Sequence, residues 1–243
     1  MNETERLAHY DRDYFLGRNC PEQNSYRLGI LRPGDMGAAM CYALGYKDYG
    51  NVCYALDIPE DNCRFLPDIT MREQVNNILH FDIRTPSKVL EIGFGRGELG
   101  IAFYMALVNY MGCDPAPMAR EIAKETCRKF HLPDSTAEVW YYYASFLDAV
   151  RFADSWIDTI ICCESLEHIP LDQIHDGMPY VKKLLTETHG LFIATNWIDF
   201  WPILPDGTGY DHITTVDDAL YDWMASFAKE TVFRKGSHLV LQF

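Results

Sequence analysis

Val89-Leu90-Glu91-Ile92-Gly93-Phe94-Gly95-Arg96-Gly97 decides how the rest of this chain is read. The first four residues have the pattern of a short strand, and the glycines lead directly into residues 98–108, whose apolar positions recur as in a helix. Glycines at such a junction allow a tight turn with positive φ, and they let the backbone approach a ligand that side chains would hold away. Outward from this junction, residues 109–113 predict a second strand ending at Asp114, and Pro115 and Pro117 open a helix over 116–130, where a missing N–H costs little. Strands follow over 138–143, 157–163 and 190–195, with a helix over 171–185. A last helix spans about 216–229, and the strand-like stretches 230–233 and 237–242, separated by Arg234-Lys235-Gly236, read as a closing hairpin. The expected fold is α/β: a doubly wound, mostly parallel sheet of seven strands ending in an antiparallel hairpin.

At 243 residues the chain suits one elaborated domain or a domain with an appendage. Residues 71–243 form the expected domain, opened by a short helix with apolar residues at 71, 75, 78 and 79. Residues 1–70, rich in aromatics such as Tyr10, Tyr14 and Phe15, form the expected appendage, a substrate lid or a dimer contact. Lys plus Arg is 21 against 35 Asp plus Glu, and a net charge of −14 argues against a phosphate backbone as partner. Met1-Asn2-Glu3-Thr4-Glu5-Arg6 is polar where a signal peptide needs a basic start, and the apolar stretch 101–108 is far short of the roughly 20 residues that cross a bilayer. Eight cysteines without CxxC pairs suit buried thiols in a reducing compartment. A cytoplasmic protein away from membranes is expected, with its oligomeric state open.

Asp114 lies 21 residues after Gly93, where a carboxylate ending the second strand can accept the hydroxyls of a ribose; it can equally cap the following helix. A dinucleotide fingerprint asks for a third glycine where Glu98 stands, and a carboxylate there repels pyrophosphate. A ligand with a ribose and a cationic group, but no phosphate, fits better. With these residues in place, the segment 89–97 resembles the first motif of class I S-adenosylmethionine-dependent methyltransferases, a Rossmann-like fold. The resemblance continues through Asp114-Pro115-Ala116-Pro117-Met118, through residues 152–158 and 164–170, and into the terminal hairpin, covering about residues 70–243. It implies that Glu91, Gly93, Gly95 and Gly97 shape the methionine pocket. It further implies that Asp114 with Pro115 holds the ribose, that Ser145 and Phe146 border the adenine, and that Glu164 reaches the cofactor amino group.

Glu164, Glu167 and His168 have i, i+3, i+4 spacing, which places them on one face of a helical turn. Two carboxylates and an imidazole suit Mg or Mn, and Glu-x-x-Glu-His is similar to the metal motif of small-RNA 2′-O-methyltransferases and ubiquinone-biosynthesis O-methyltransferases. His212 would complete that ligand set. Alternatively, Glu167 and His168 belong to the generic family loop with His168 as base or acceptor-positioning residue, or His168 is a packed histidine. The leading expectation is O-methylation of a small, partly apolar acceptor, with Glu164, Glu167 and His168 as catalytic residues. A metal-assisted RNA 2′-O-methyltransferase and a noncatalytic cofactor-binding module are the alternatives. Trp197, Phe200 and Trp201, in the proline-containing stretch 196–210, line an acceptor pocket or pack beneath their loop.

Overall fold

The computed structural model describes residues 88–95, 97, 100, 109–129, 132–133, 135–136, 140–153, 156–163, 165–195, 213–235 and 238–243. The appendage over 1–70, the helix over 71–80 and the helix expected over 98–108 therefore fall outside the described residues, apart from Gly100. The strands are β1 (Lys88–Ile92), β2 (Asn109–Asp114), β3 (Tyr141–Tyr143), β4 (Thr159–Cys163), β5 (Leu191–Thr195), β6 (Glu230–Lys235) and β7 (His238–Gln242). The helices are α1 (Pro117–Lys129), α2 (Phe146–Phe152), α3 (Leu171–Thr188) and α4 (Asp218–Ala225).

The seven strands form one sheet in the order β3-β2-β1-β4-β5-β7-β6. Strands β1 to β5 run parallel, whereas β7 is antiparallel to both β5 and β6. Val89, Leu90 and Ile92 are all buried, as expected for a central parallel strand covered on both faces. One face carries the larger core, in which Leu90, Ile92, Ile160, Cys162 and Phe192 of the sheet belong to the same apolar cluster as residues of α2, α3 and α4.

With α4 covering only Asp218–Ala225 of the expected 216–229 and β6 running on through Arg234 and Lys235, several elements differ from the sequence expectation. Helix α2 is absent from it, because only Phe146 and Val150 of its seven residues are buried, too short a stripe to register as periodicity. Its start is nevertheless written in the chain: Ser145 Oγ accepts the Asp148 N–H at 3.2 Å and donates to Asp148 Oδ2 at 2.8 Å, a reciprocal cap. Helix α3 runs three residues longer than expected and stops on His189 at φ 51°, with the Gly190 N–H donating to the Leu185 carbonyl at 2.8 Å. Gly190 closes that helix rather than opening β5. Cys113, Cys127 and Cys162 are buried thiols outside any disulfide. No helix among the described residues is long and apolar enough to cross a membrane.

Candidate active site

The chain moves from β1 to one side of the sheet and later from β4 to the other, so a crevice opens beyond the carboxyl ends of β1 and β4. The loop leaving β1 turns on three left-handed glycines, Gly93 at φ 74°, Gly95 at φ 51° and Gly97 at φ 79°. They are glycine for different reasons. A Cβ on Gly93 would lie 2.8 Å from the Ser165 Cβ in the segment that follows β4. On Gly97 it would lie 2.7 Å from the Tyr141 hydroxyl and 2.8 Å from the Ala123 Cβ. On Gly95 it would meet nothing within 4 Å among the described residues. Two glycines are thus required by close protein neighbours, while the middle one has no such neighbour among the described residues.

Asp114, at the end of β2 and 4% exposed, braces this loop. Its Oδ2 accepts the Gly95 N–H at 3.1 Å and its Oδ1 accepts the Ala116 N–H at 2.8 Å, just ahead of α1. The helix-entry role weighed from sequence is filled, and the same carboxylate braces the glycine loop; neither bond bears on its ribose contact. The two amides fix the orientation of the carboxylate. Glu91 is equally buried, and the Tyr110 hydroxyl donates to its Oε2 at 2.5 Å. Burial first, and the Glu91 carboxylate next, push the Tyr110 phenol well above its ordinary value, so it stays a donor. Pro115 lies between Asp114 and α1, and Ser145 caps α2. The Phe146 ring is part of the core and rests against Gly177, so any part it plays toward a ligand falls to its backbone.

Beyond β4, Ser165 is buried and Leu166–His168 form a 3₁₀ turn rather than an α-helical one. Each residue therefore advances by roughly 120°, which buries Glu167 and leaves His168 half-buried. The turn is fastened from behind: the N–H groups of Ile213 and Thr214 donate to the Glu167 carbonyl at 2.8 and 3.1 Å, and Thr214 Oγ1 donates to the Ile169 carbonyl at 2.5 Å. Glu164, His212, Trp197, Phe200 and Trp201 lie outside the described residues. Among the described residues, no group of three His, Cys, Asp or Glu is arranged to hold a metal ion.

The family described as "Methyltransferase domain" matches residues 89–188, which hold the glycine loop, Asp114 and the turn after β4. Over that stretch the chain is similar to a methyltransferase domain. No curated protein matches the chain. Among solved structures, a Pyrococcus horikoshii OT3 protein is 18% identical with a TM-score of 0.43, over 51% of this chain and 56% of its own. A ribosomal protein L11 methylase from Lactobacillus delbrueckii subsp. bulgaricus is 18% identical with a TM-score of 0.44, over 70% of this chain and 77% of its own. A putative O-methyltransferase from Nostoc punctiforme is 20% identical with a TM-score of 0.45, over 65% of this chain and 52% of its own. The chain thus spans little more than half the length of two of these three.

Tyr110, Ser165 and Thr214 are parts of the site that the sequence reading does not single out. Tyr141 falls within the strand expected over 138–143. Its hydroxyl in fact donates to the Gly97 carbonyl at 2.6 Å. No spacing rule announces such contacts, because each joins residues 44 or more positions apart or, for Tyr110 and Glu91, neighbouring strands.

Proposed function

We propose that the chain transfers a methyl group from S-adenosylmethionine to an oxygen of a small-molecule acceptor in the cytoplasm. The observation that carries this reading is the loop turn at Gly95, where a Cβ would meet no described residue within 4 Å and whose N–H is held by Asp114. That cradle suits the cofactor: the backbone comes close to a ligand, and the nearby carboxylates favour a sulfonium and an ammonium over phosphate. When bound, the cofactor supplies a methyl group on a sulfonium that departs as a neutral thioether.

The chain's own residues have these roles in the proposal. Asp114 accepts the sugar hydroxyls while the Gly95 and Ala116 amides hold it still, and Pro115 shapes the exit from β2. Glu91, Gly93, Gly95 and Gly97 form the methionine side, with Glu164 toward the amino group. Ser145 and the Phe146 backbone border the base. His168 takes the proton from the acceptor hydroxyl at its imidazole or orients that hydroxyl, and Glu167 anchors the turn that carries it. Half-burial suits His168 to this work, since the ring is reachable by an acceptor yet partly screened from water.

Titration calorimetry with S-adenosylmethionine and its demethylated product tests the cofactor half of the reading, with Asp114→Ala as the disabled variant. Acceptor pools incubated with labelled cofactor, with and without a chelator, test turnover and the use of Mg or Mn together. Absence of heat with wild type, or binding unaltered in Asp114→Ala, would remove the reading.

A further inference from the structure

We propose that Tyr141 and Tyr110 are positioning residues for the cofactor loop, Tyr141 acting through the Gly97 carbonyl and Tyr110 through the Glu91 carboxylate. This rests on the reading that the loop after β1 binds S-adenosylmethionine. Both side chains come from strands other than the one that carries the loop, Tyr110 from β2 and Tyr141 from β3, and both are buried. Their rings meet edge to face at 5.9 Å, with Phe94 of the loop 4.7 Å from Tyr141 and Trp140 beside both. A phenylalanine would fill nearly the same volume at either position, so packing alone does not account for the two hydroxyls. Buried hydroxyls are explained by what they bond, and here each bonds a group of the β1 end or its loop.

The surrounding backbone is shaped to admit them. A Cβ on Gly100 would lie 2.7 Å from Tyr110 Cε1 and 3.0 Å from Tyr141 Cζ, so that glycine leaves room for both rings. Gly97, at φ 79°, belongs to the residue type with the widest choice of peptide orientations. A donor on its carbonyl at 2.6 Å selects one of them. Tyr110 does the same for a carboxylate, holding its Oε2. The two hydroxyls therefore set the orientation of the loop's last glycine peptide and of the acid two residues before its first glycine. Preorganisation of this kind appears in ligand affinity, because the loop no longer has to be ordered on binding.

The test uses the full chain and the isosteric variants Tyr141→Phe and Tyr110→Phe. Dissociation constants for S-adenosylmethionine and its demethylated product are measured by calorimetry well below the thermal midpoints, where a change in global stability alone leaves affinity untouched. The expected result is a loss of about three- to tenfold for both ligands, the net worth of one hydrogen bond, and by the same factor for each, since neither hydroxyl addresses the methyl group. Lowered midpoints with wild-type affinity in both variants would overturn the inference and leave the tyrosines as packing. Should one variant fail to fold, the other decides by the same measurement. Wild-type protein that binds neither ligand overturns the cofactor reading itself, and the inference with it, a result distinct from wild-type binding that the variants leave unchanged.

Discussion

Replacing Gly95 or Gly97 by alanine should produce opposite phenotypes, although the two residues are two positions apart in one loop. Both have left-handed φ, 51° and 79°, so each substitution carries the strain of a Cβ in that region, about 1–2 kcal/mol. At Gly95 little is added in the protein, because the new methyl meets no atom of the described residues within 4 Å. At Gly97 the methyl lies 2.7 Å from the Tyr141 hydroxyl and 2.8 Å from the Ala123 Cβ. Neither neighbour yields easily, since Tyr141 is fully buried and Ala123 sits on α1. Overpacking adds roughly 1–3 kcal/mol, so Gly97→Ala should lose about 2–5 kcal/mol of unfolding free energy against about 1–2 for Gly95→Ala. The order reverses for binding per folded molecule. At Gly95 the methyl occupies the side where the ligand is proposed to approach, and a clash of about 1–3 kcal/mol there weakens binding by roughly fivefold to more than a hundredfold. Urea denaturation gives the stabilities and calorimetry gives the cofactor affinities. A Gly95→Ala protein that binds S-adenosylmethionine as tightly as wild type would refute the argument, because Gly95 would then serve only the turn.

Asp114→Asn keeps the shape but puts an amide NH₂ where one of two backbone N–H groups now donates. About 1–3 kcal/mol of stability should be lost, with at least about tenfold weaker cofactor binding; wild-type values in both titrations would remove Asp114 from the brace and the sugar contact together. Alkaline pH should destabilise the fold through two buried acids. Burial first, then Asp114, pushes the Cys113 thiol up from 9.0, and burial first, then Glu91, pushes the Tyr110 phenol up from 10.0. Unfolded, each ionises near its ordinary value, whereas the folded protein keeps both protons. Stability is therefore full below about pH 9 and falls above it by about 1.4 kcal/mol per pH unit for the thiol, more steeply once the phenol joins near pH 10. Denaturation of wild type and Cys113→Ala between pH 8 and 10.5 checks this, and parallel curves for the two would contradict it. Thr214→Val should lose about 1 kcal/mol and lower turnover by loosening the turn that holds His168, with Thr214→Ser restoring both; equal turnover in the valine variant would show that the turn stands without that bond.

The sheet was legible because its signals are local. A short apolar strand stopped by glycines, an acid at the next strand end and a closing hairpin each occupy a few adjacent residues, and each appears where expected. Element ends were less legible. Nothing in the apolar pattern of residues 141–143 and 146–152 announced a seven-residue helix, although the Ser145–Asp148 cap was present. The turn after β4 shows a second limit. Glu-x-x-Glu-His spacing suggests an α-helical face, but the chain takes a 3₁₀ turn there, fastened by Ile213 and Thr214 from after β5. That fastening depends on tertiary approach, which no local pattern encodes. The glycines were legible as a class, but not the division of labour among them, since only coordinates reveal that Gly93 and Gly97 make room for protein while Gly95 has no such neighbour among the described residues.

The same coordinates bear on the chemistry of the ligand. Glu91, Asp114 and Glu167 are 4%, 4% and 3% exposed, and they sit on β1, at the end of β2 and just after β4, three segments bordering one crevice. After burial, Asp114 and also Glu91 oppose ionisation of the neighbouring Cys113 thiol. Burying carboxylates is unfavourable unless donors or cations meet them. Tyr110 meets Glu91, and two backbone amides meet Asp114. These donors orient the carboxylates. Buried carboxylates beside a ligand favour a cationic group over a pyrophosphate. That preference separates a sulfonium nucleoside from a dinucleotide more sharply than the glycine pattern does, because glycine turns of this kind serve both.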